Sequence, residues 1–184
     1  MRVERWTPRP IGEPWLAFIR EIDSLLEDAV TLYCIGGFAL SVLIEMPRVT
    51  GDIDFVDLLS SDGGDRLLEI GGAGSALAEK HSLYLQHVTI VEPPNDYENR
   101  LIDVTPKGLV RLRMSVLDPY DLLLTKVQRN SPTDLDDARL LSEQLDLDKA
   151  RLLRRFEDDL HPYLAVTPEK IELTVQLWLD ELFA

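Results

Sequence analysis

The chain has 184 residues, with 33 Asp and Glu against 19 Lys and Arg, and a formal net charge of −14. This length fits one α/β domain, or one domain with a small helical appendage. Such acidity excludes a general nucleic-acid coat but leaves room for a local basic groove.

A hydrophobic fraction of 45% supplies a core and excludes a disordered chain. The single cysteine, Cys34, excludes an internal disulfide and any multi-cysteine zinc site. No apolar run approaches the roughly 20 residues of a membrane span. The first ten residues lack the apolar segment of a secretory signal, so a cytoplasmic location is expected.

Residues 1–14 hold three prolines and no period, which predicts a loose arm. From Trp15, apolar residues at Leu16, Ile19, Ile22, Leu25, Leu26 and Ala29 recur at helical spacing. The apolar run 31–35 predicts a strand that meets Gly36-Gly37, and 38–45 predicts a helix ending near Pro47. Residues 52–57 alternate polar and apolar, as a strand does. Residues 62–65 predict a turn and cap, with a helix to about Lys80 that Gly71-Gly72 weakens.

Strands are predicted over 83–91, 100–105 and 110–117. In the last, Leu112, Met114 and Val116 share one face, and Arg111, Arg113 and Ser115 the other. From Asp118 the pattern is helical, with Asp118 as N-cap and Pro119 as first helical residue. Further helices are predicted over 148–159 and 168–183, with Leu173, Leu177 and Trp178 as core. The boundary between strand-rich and helical parts falls near 117.

The chemistry concentrates in 33–40 and 48–55. A strand that ends in Gly36-Gly37 and opens a helix exposes backbone N–H groups, and glycine lets a phosphate approach them. Asp52 and Asp54 stand at i and i+2 of a strand, so their carboxylates share one face about 7 Å apart. Two such carboxylates repel unless a cation stands between them, and Mg²⁺ takes carboxylates together with substrate phosphates. The plainer readings are a solvated strand end for the acids and a tight turn for the glycines. Cys34 reads as a buried thiol and His87 as a sheet residue.

Gly36-Gly37-x-Ala39-Leu40, a helix, then Arg48-x-Thr50-x-Asp52-x-Asp54 resembles the active-site signature of the DNA polymerase β-type nucleotidyltransferase superfamily. The arrangement is most similar to bacterial nucleotidyltransferase-like proteins related to the toxins of abortive-infection and toxin–antitoxin systems. A second block agrees: in such proteins a helix with a lysine, then an arginine and an aspartate, closes the site, here Lys126, Arg129 and Asp134. The resemblance covers about residues 30–140.

It implies an α/β (α+β) fold: a small mixed sheet with flanking helices over 15–117, and a helical segment, 118–184, packing on it. It implies transfer of a nucleoside monophosphate from an NTP to an acceptor hydroxyl on RNA (tRNA among them), a protein or a small molecule. Asp52 and Asp54 would hold Mg²⁺ or Mn²⁺, and Asp103 would be the third carboxylate and base. Gly36, Gly37, Arg48, Thr50, Lys126 and Arg129 would bind the nucleotide. An antitoxin protein is an implied partner. The superfamily's third carboxylate usually stands on a later strand, and 83–91 offers Gln86 and His87 instead. A relative that keeps the fold without catalysis, as a nucleotide-binding or protein-interaction module, is the alternative.

Overall fold

The computed structural model describes residues 6–56, 63–89, 91–165 and 167–184. Residues 1–5 of the expected arm, the predicted strand's last residue Asp57, the turn residue Asp62, and Ile90 lie outside them. The chain forms two compact units, Met1–Val88 with Ile102–Val116, and Thr89–Leu101 with Leu117–Ala184. Among the described residues no helix is long and apolar enough to cross a membrane.

The first unit carries a five-stranded mixed sheet. Its elements in chain order are α1 (Trp15–Leu25), β1 (Val30–Ile35), α2 (Gly36–Leu43), β2 (Asp52–Val56), α3 (Gly63–Gly71), α4 (Ala76–His81), β3 (Tyr84–His87), β4 (Ile102–Asp103) and β5 (Leu112–Val116). The strand order is β3-β2-β1-β5-β4. β1 runs antiparallel to β2 and parallel to β5; β2 and β3 are parallel, and β4 and β5 antiparallel. This is the expected α/β class.

Alternation along each strand sorts the two faces. Leu32, Cys34, Ile53, Phe55, Leu85, Leu112, Met114 and Val116 fill one face, all buried. Phe18, Ile19 and Ile22 of α1 are fully buried, each contributing about 1.5–3 kcal/mol. Ile22 and Leu85 close on Gly71, 3.1 and 3.3 Å from where a Cβ would stand. Asp23 also faces inward. Its carboxylate accepts N–H bonds from Val110, Arg111 and Leu112, at 2.7–3.1 Å. Burial works to raise its pKa, but the three backbone donors outweigh burial and lower it. A lone acid at a core-facing position of α1 therefore anchors the start of β5.

Some elements are shorter than the apolar runs suggest. The run 83–91 yields only the four residues of β3. The helix expected to Lys80 ends at Gly71. The next residue sits where only glycine fits, since a Cβ at Gly72 would meet the Leu68 carbonyl oxygen at 2.4 Å. The chain restarts at Ser75, whose hydroxyl accepts from the Ala78 N–H and caps α4.

The second unit comprises a 3-10 turn (Tyr97–Arg100), α5 (Pro119–Arg129), α6 (Pro132–Leu145), α7 (Lys149–Arg155) and α8 (Pro168–Leu182). Asp118 caps α5 as expected, accepting from the Asp121 N–H at 2.8 Å. The helix read over 148–159 is α-helical to Arg155 and continues as a π-helical turn, Phe156–Leu160. Trp178 is buried, but Leu173 and Leu177 are exposed, which corrects their reading as core. They stand on the face of α8 that also carries Glu169, Glu172, Gln176, Asp180 and Glu181, all exposed.

Candidate active site

The site begins at the end of β1. Gly36 has φ of +67°, the left-handed region, and opens α2 directly from the strand. The N-cap residue of α2, Ile35, makes no side-chain hydrogen bond to its first turn. The backbone N–H groups of that first turn are thus a suitable seat for an anion.

β1 pairs antiparallel with β2, which sets Ile35 opposite Asp54. Asp54 is 9% exposed, and its Oδ2 lies 2.1 Å from where a Cβ on Gly36 would be. The carboxylate therefore rests on the bare Cα of Gly36. A Cβ at Gly37 would stand 3.2 Å from the Thr50 hydroxyl. That hydroxyl donates to Asp52 Oδ1 at 2.6 Å. Tyr84, opposite Asp52 on β3, brings its hydroxyl to 3.5 Å from Asp52 Oδ2. The charge of Asp52, followed by burial, raises the Tyr84 pKa.

Gly36, Gly37, Thr50, Asp52 and Asp54 are thus brought together, as their spacing suggested. Arg48 lies exposed in the loop between α2 and β2, two residues before Thr50. Cys34 is fully buried behind the pair. Burial, and secondarily the Asp54 charge, push its thiol pKa well above the usual range. His87 stacks on Phe55, with ring centroids 5.2 Å apart, as a sheet residue.

Asp103 does not join the pair. It stands on β4, opposite Ser115 of β5, which is opposite Tyr33 of β1, which is opposite Val56 of β2. It shares the face of Asp54 but lies three strand spacings away across the sheet, roughly 14 Å, and two residues off its level along the strand. The residue on β3 opposite Asp54 is Gln86, an exposed amide. Among the described residues no group of three His, Cys, Asp or Glu stands placed to hold a metal ion.

Lys126 and Arg129 have other partners, within the second unit. The Lys126 ammonium is 3% exposed and donates to Asp137 at 2.7 Å and to Asp134 at 3.3 Å. Arg129 Nε donates to Asp134 Oδ2 at 2.9 Å. Asp134 also accepts from the Ser131 N–H and hydroxyl, closing a capping box on α6. This cluster joins α5 to α6, and its lysine is too buried to meet a ligand without breaking both pairs.

A second cluster holds the segment 95–100 to α5 and α7. Asp121, fully buried, accepts from Arg100 Nε at 2.8 Å and from Arg155. Burial, then the neighbouring Asp118, push its pKa up to about 6.

A glycine turn at the end of one strand is thus set against two carboxylates on the face of its antiparallel neighbour. The chain belongs to a family described as nucleotidyltransferase of unknown function (DUF6036), whose model matches residues 16–169. No curated protein and no solved structure matches the chain. Tyr84 escaped the sequence reading, because only the β2–β3 register brings it to Asp52.

Proposed function

We propose that the protein transfers a nucleoside monophosphate from an NTP to an acceptor hydroxyl. The observation that carries this reading is the Asp54 carboxylate seated on Gly36, with the start of α2 beside it. It joins an anion seat to a carboxylate in one small volume.

The donors fit a hard cation. Asp52, Asp54 and the hydroxyls of Thr50 and Tyr84 offer only oxygen, and Mg²⁺ or Mn²⁺ accepts two carboxylates completed by phosphates and water. Asp52 and Asp54 would hold the ion, which when bound offsets charge that develops on the phosphates. Thr50 and Tyr84 orient Asp52, and Gly36 and Gly37 receive the β- and γ-phosphates. The acceptor oxygen bonds to the α-phosphorus in line, the bond from that phosphorus to the bridging oxygen breaks, and pyrophosphate leaves with the electron pair. The hydroxyl proton passes to water, since Gln86 beside Asp54 takes no proton and Asp103 is out of reach.

The acceptor class, and a neutralising antitoxin as partner, are parts of this reading that draw on the resemblance alone. A second reading, a nucleotide-binding or protein-interaction module without catalysis, is favoured by one observation: the amide of Gln86 where a third carboxylate would complete the set.

The test is thermal stability with each NTP, with and without Mg²⁺, for the wild type and for Asp52→Asn/Asp54→Asn. A ligand bound only by the folded state raises the midpoint as ln(1 + [L]/Kd). A Mg²⁺-dependent rise that the double variant loses is expected. No rise with any NTP at millimolar concentration overturns the proposal.

A further inference from the structure

Two surface features of this chain have no part in the carboxylate–glycine site. The first is a groove of about 430 Å³ beside the β4 edge of the first unit, on the α1 side of the sheet and so opposite Asp52 and Asp54. Pro10, Ile11, Leu16, Val104 and Pro106 give it an apolar floor. Arg9, Arg20 and Lys107 stand exposed along it. Among the described residues no carboxylate is paired with any of the three. The groove's one acid, Asp103, is turned to its own backbone and accepts from the Thr105 N–H at 2.9 Å.

The second feature is the outer face of α8 in the second unit. Ile171, Val175, Trp178 and Leu179 are buried and fix which face of the helix turns inward. Leu173 and Leu177, 57% and 61% exposed, lie one turn apart on the outer face. Glu169 continues their stripe at the same interval, and Glu172 flanks it. The helix carries four acids, Glu169, Glu172, Asp180 and Glu181, against the single base Lys170. Asp180 and Glu181 already meet Lys149 and Arg139 in solvent. Glu169 meets no base among the described residues, and Glu172 meets His161 at 3.9 Å.

The two features are complements. One is concave, with an apolar floor and a rim of unpaired cations. The other is convex, with two exposed leucines at helical spacing and acids beside them. A helix in a groove is read through anchors at such i, i+4 spacing, and opposite charges around the anchors set its register. We propose that α8 of one copy docks in the groove of a second copy, with Leu173 and Leu177 on the apolar floor and Glu169 and Glu172 against Arg9, Arg20 and Lys107. The net charge of −14 repels two copies, but physiological salt confines that repulsion to about 8 Å, so the local match decides. The contact is head-to-tail. Each added copy brings a free groove or a free helix, so association runs past the dimer unless it closes in a ring. It stands whether or not the chain transfers nucleotides.

The test is sedimentation velocity of the full chain from micromolar to near-millimolar concentration at physiological ionic strength. The wild type is expected to grow in mass with concentration. Leu173→Ser/Leu177→Ser removes the helix anchors, and Arg9→Gln/Arg20→Gln/Lys107→Gln removes the groove's charged rim. Both variants are expected to remain monomers. All five side chains are exposed, and each variant's thermal midpoint checks that it folds. An equimolar mixture of the two variants is the decisive arm. One keeps its groove and the other its helix, so together they are expected to form a dimer and to stop there. A wild type that stays monomeric throughout overturns the proposal, whatever acidic polypeptide or nucleic acid its groove then takes. Self-association that the groove variant retains overturns it in favour of α8 pairing with α8. A mixture that yields no dimer overturns it as well.

Discussion

The Asp54 carboxylate fills the space that a side chain on residue 36 would take: its Oδ2 lies 2.1 Å from the ideal Cβ position on Gly36. A residue that binds no substrate through its side chain thus sets the position of one that would. The two belong to different strands, joined only by the antiparallel pairing of β1 with β2.

Gly36→Ala should therefore fail twice, through its φ of +67° and through the carboxylate. The left-handed backbone costs about 1 kcal/mol and the collision about 1–3 kcal/mol more. Gly74→Ala is the control, since Gly74 also has positive φ but has nothing within 4 Å of a Cβ. Urea denaturation should show a loss of about 2–4 kcal/mol for the first variant and about 1 kcal/mol for the second. Equal losses would mean that the carboxylate moves aside freely.

Thr50→Val removes the hydroxyl that holds Asp52 Oδ1 at 2.6 Å while keeping the side-chain volume. Asp52 remains half-buried and solvated, so stability should fall by no more than about 1 kcal/mol. The Mg²⁺-dependent NTP shift should shrink far more than the apo midpoint does. A shift of unchanged size in Thr50→Val would show that Asp52 needs no such support.

Lys126→Met should be among the most damaging single changes in the second unit. It leaves Asp137 and Asp134 buried beside an apolar chain, and breaking a buried pair by removing one partner costs about 3–5 kcal/mol. Lys126→Met/Asp137→Leu should recover part of that loss, because no charge is then left without its partner. Chemical denaturation of the two single variants and the double variant measures the coupling. A neutral Lys126→Met would return Lys126 to the pool of ligand-binding candidates.

Asp121 and Asp134 should respond to pH in opposite directions. Asp121 is raised to about 6 by burial and by Asp118. Its contribution is thus fully present below the ordinary carboxylate range and lost as pH rises through about 6. Asp134 is lowered: Arg129, Ser131 and Lys126 outweigh burial. Its contribution is present above the ordinary range and lost as pH falls below it. Between pH 4 and 7, Asp121→Asn should lose more stability at pH 4 than at pH 7, relative to the wild type, which flattens the profile there. Asp134→Asn should do the reverse, costing most near neutrality. Urea midpoints at pH 4, 5.5 and 7 decide it, and parallel profiles for the two variants would refute both assignments.

The local elements of this chain follow from short-range chemistry. Period-2 alternation in 52–56 and in 112–116, the Asp118-Pro119 cap and the strand-ending glycines each act over a few residues, so they are legible one after another. The same holds for the pairing of Gly36-Gly37 with Asp52 and Asp54, because only a short helix separates them. Strand order is a long-range matter. Asp103 read as a third carboxylate because it sits in a strand, yet β5 and β1 intervene, and nothing within the Leu101–Val104 segment encodes that placement. Lys126 read as a phosphate contact because a lysine on an amphipathic helix is ordinarily solvated. Only the packing of α6 on α5 buries it against Asp134 and Asp137. Tyr84 and Asp23 acquire their roles in the same way, from a cross-strand register and from a helix laid against the start of β5. The sequence by itself determined the class of fold and the carboxylate–glycine core of the site. The tertiary structure decided which charges face solvent and which face each other, since burial and partnership depend on residues that lie far apart along the chain.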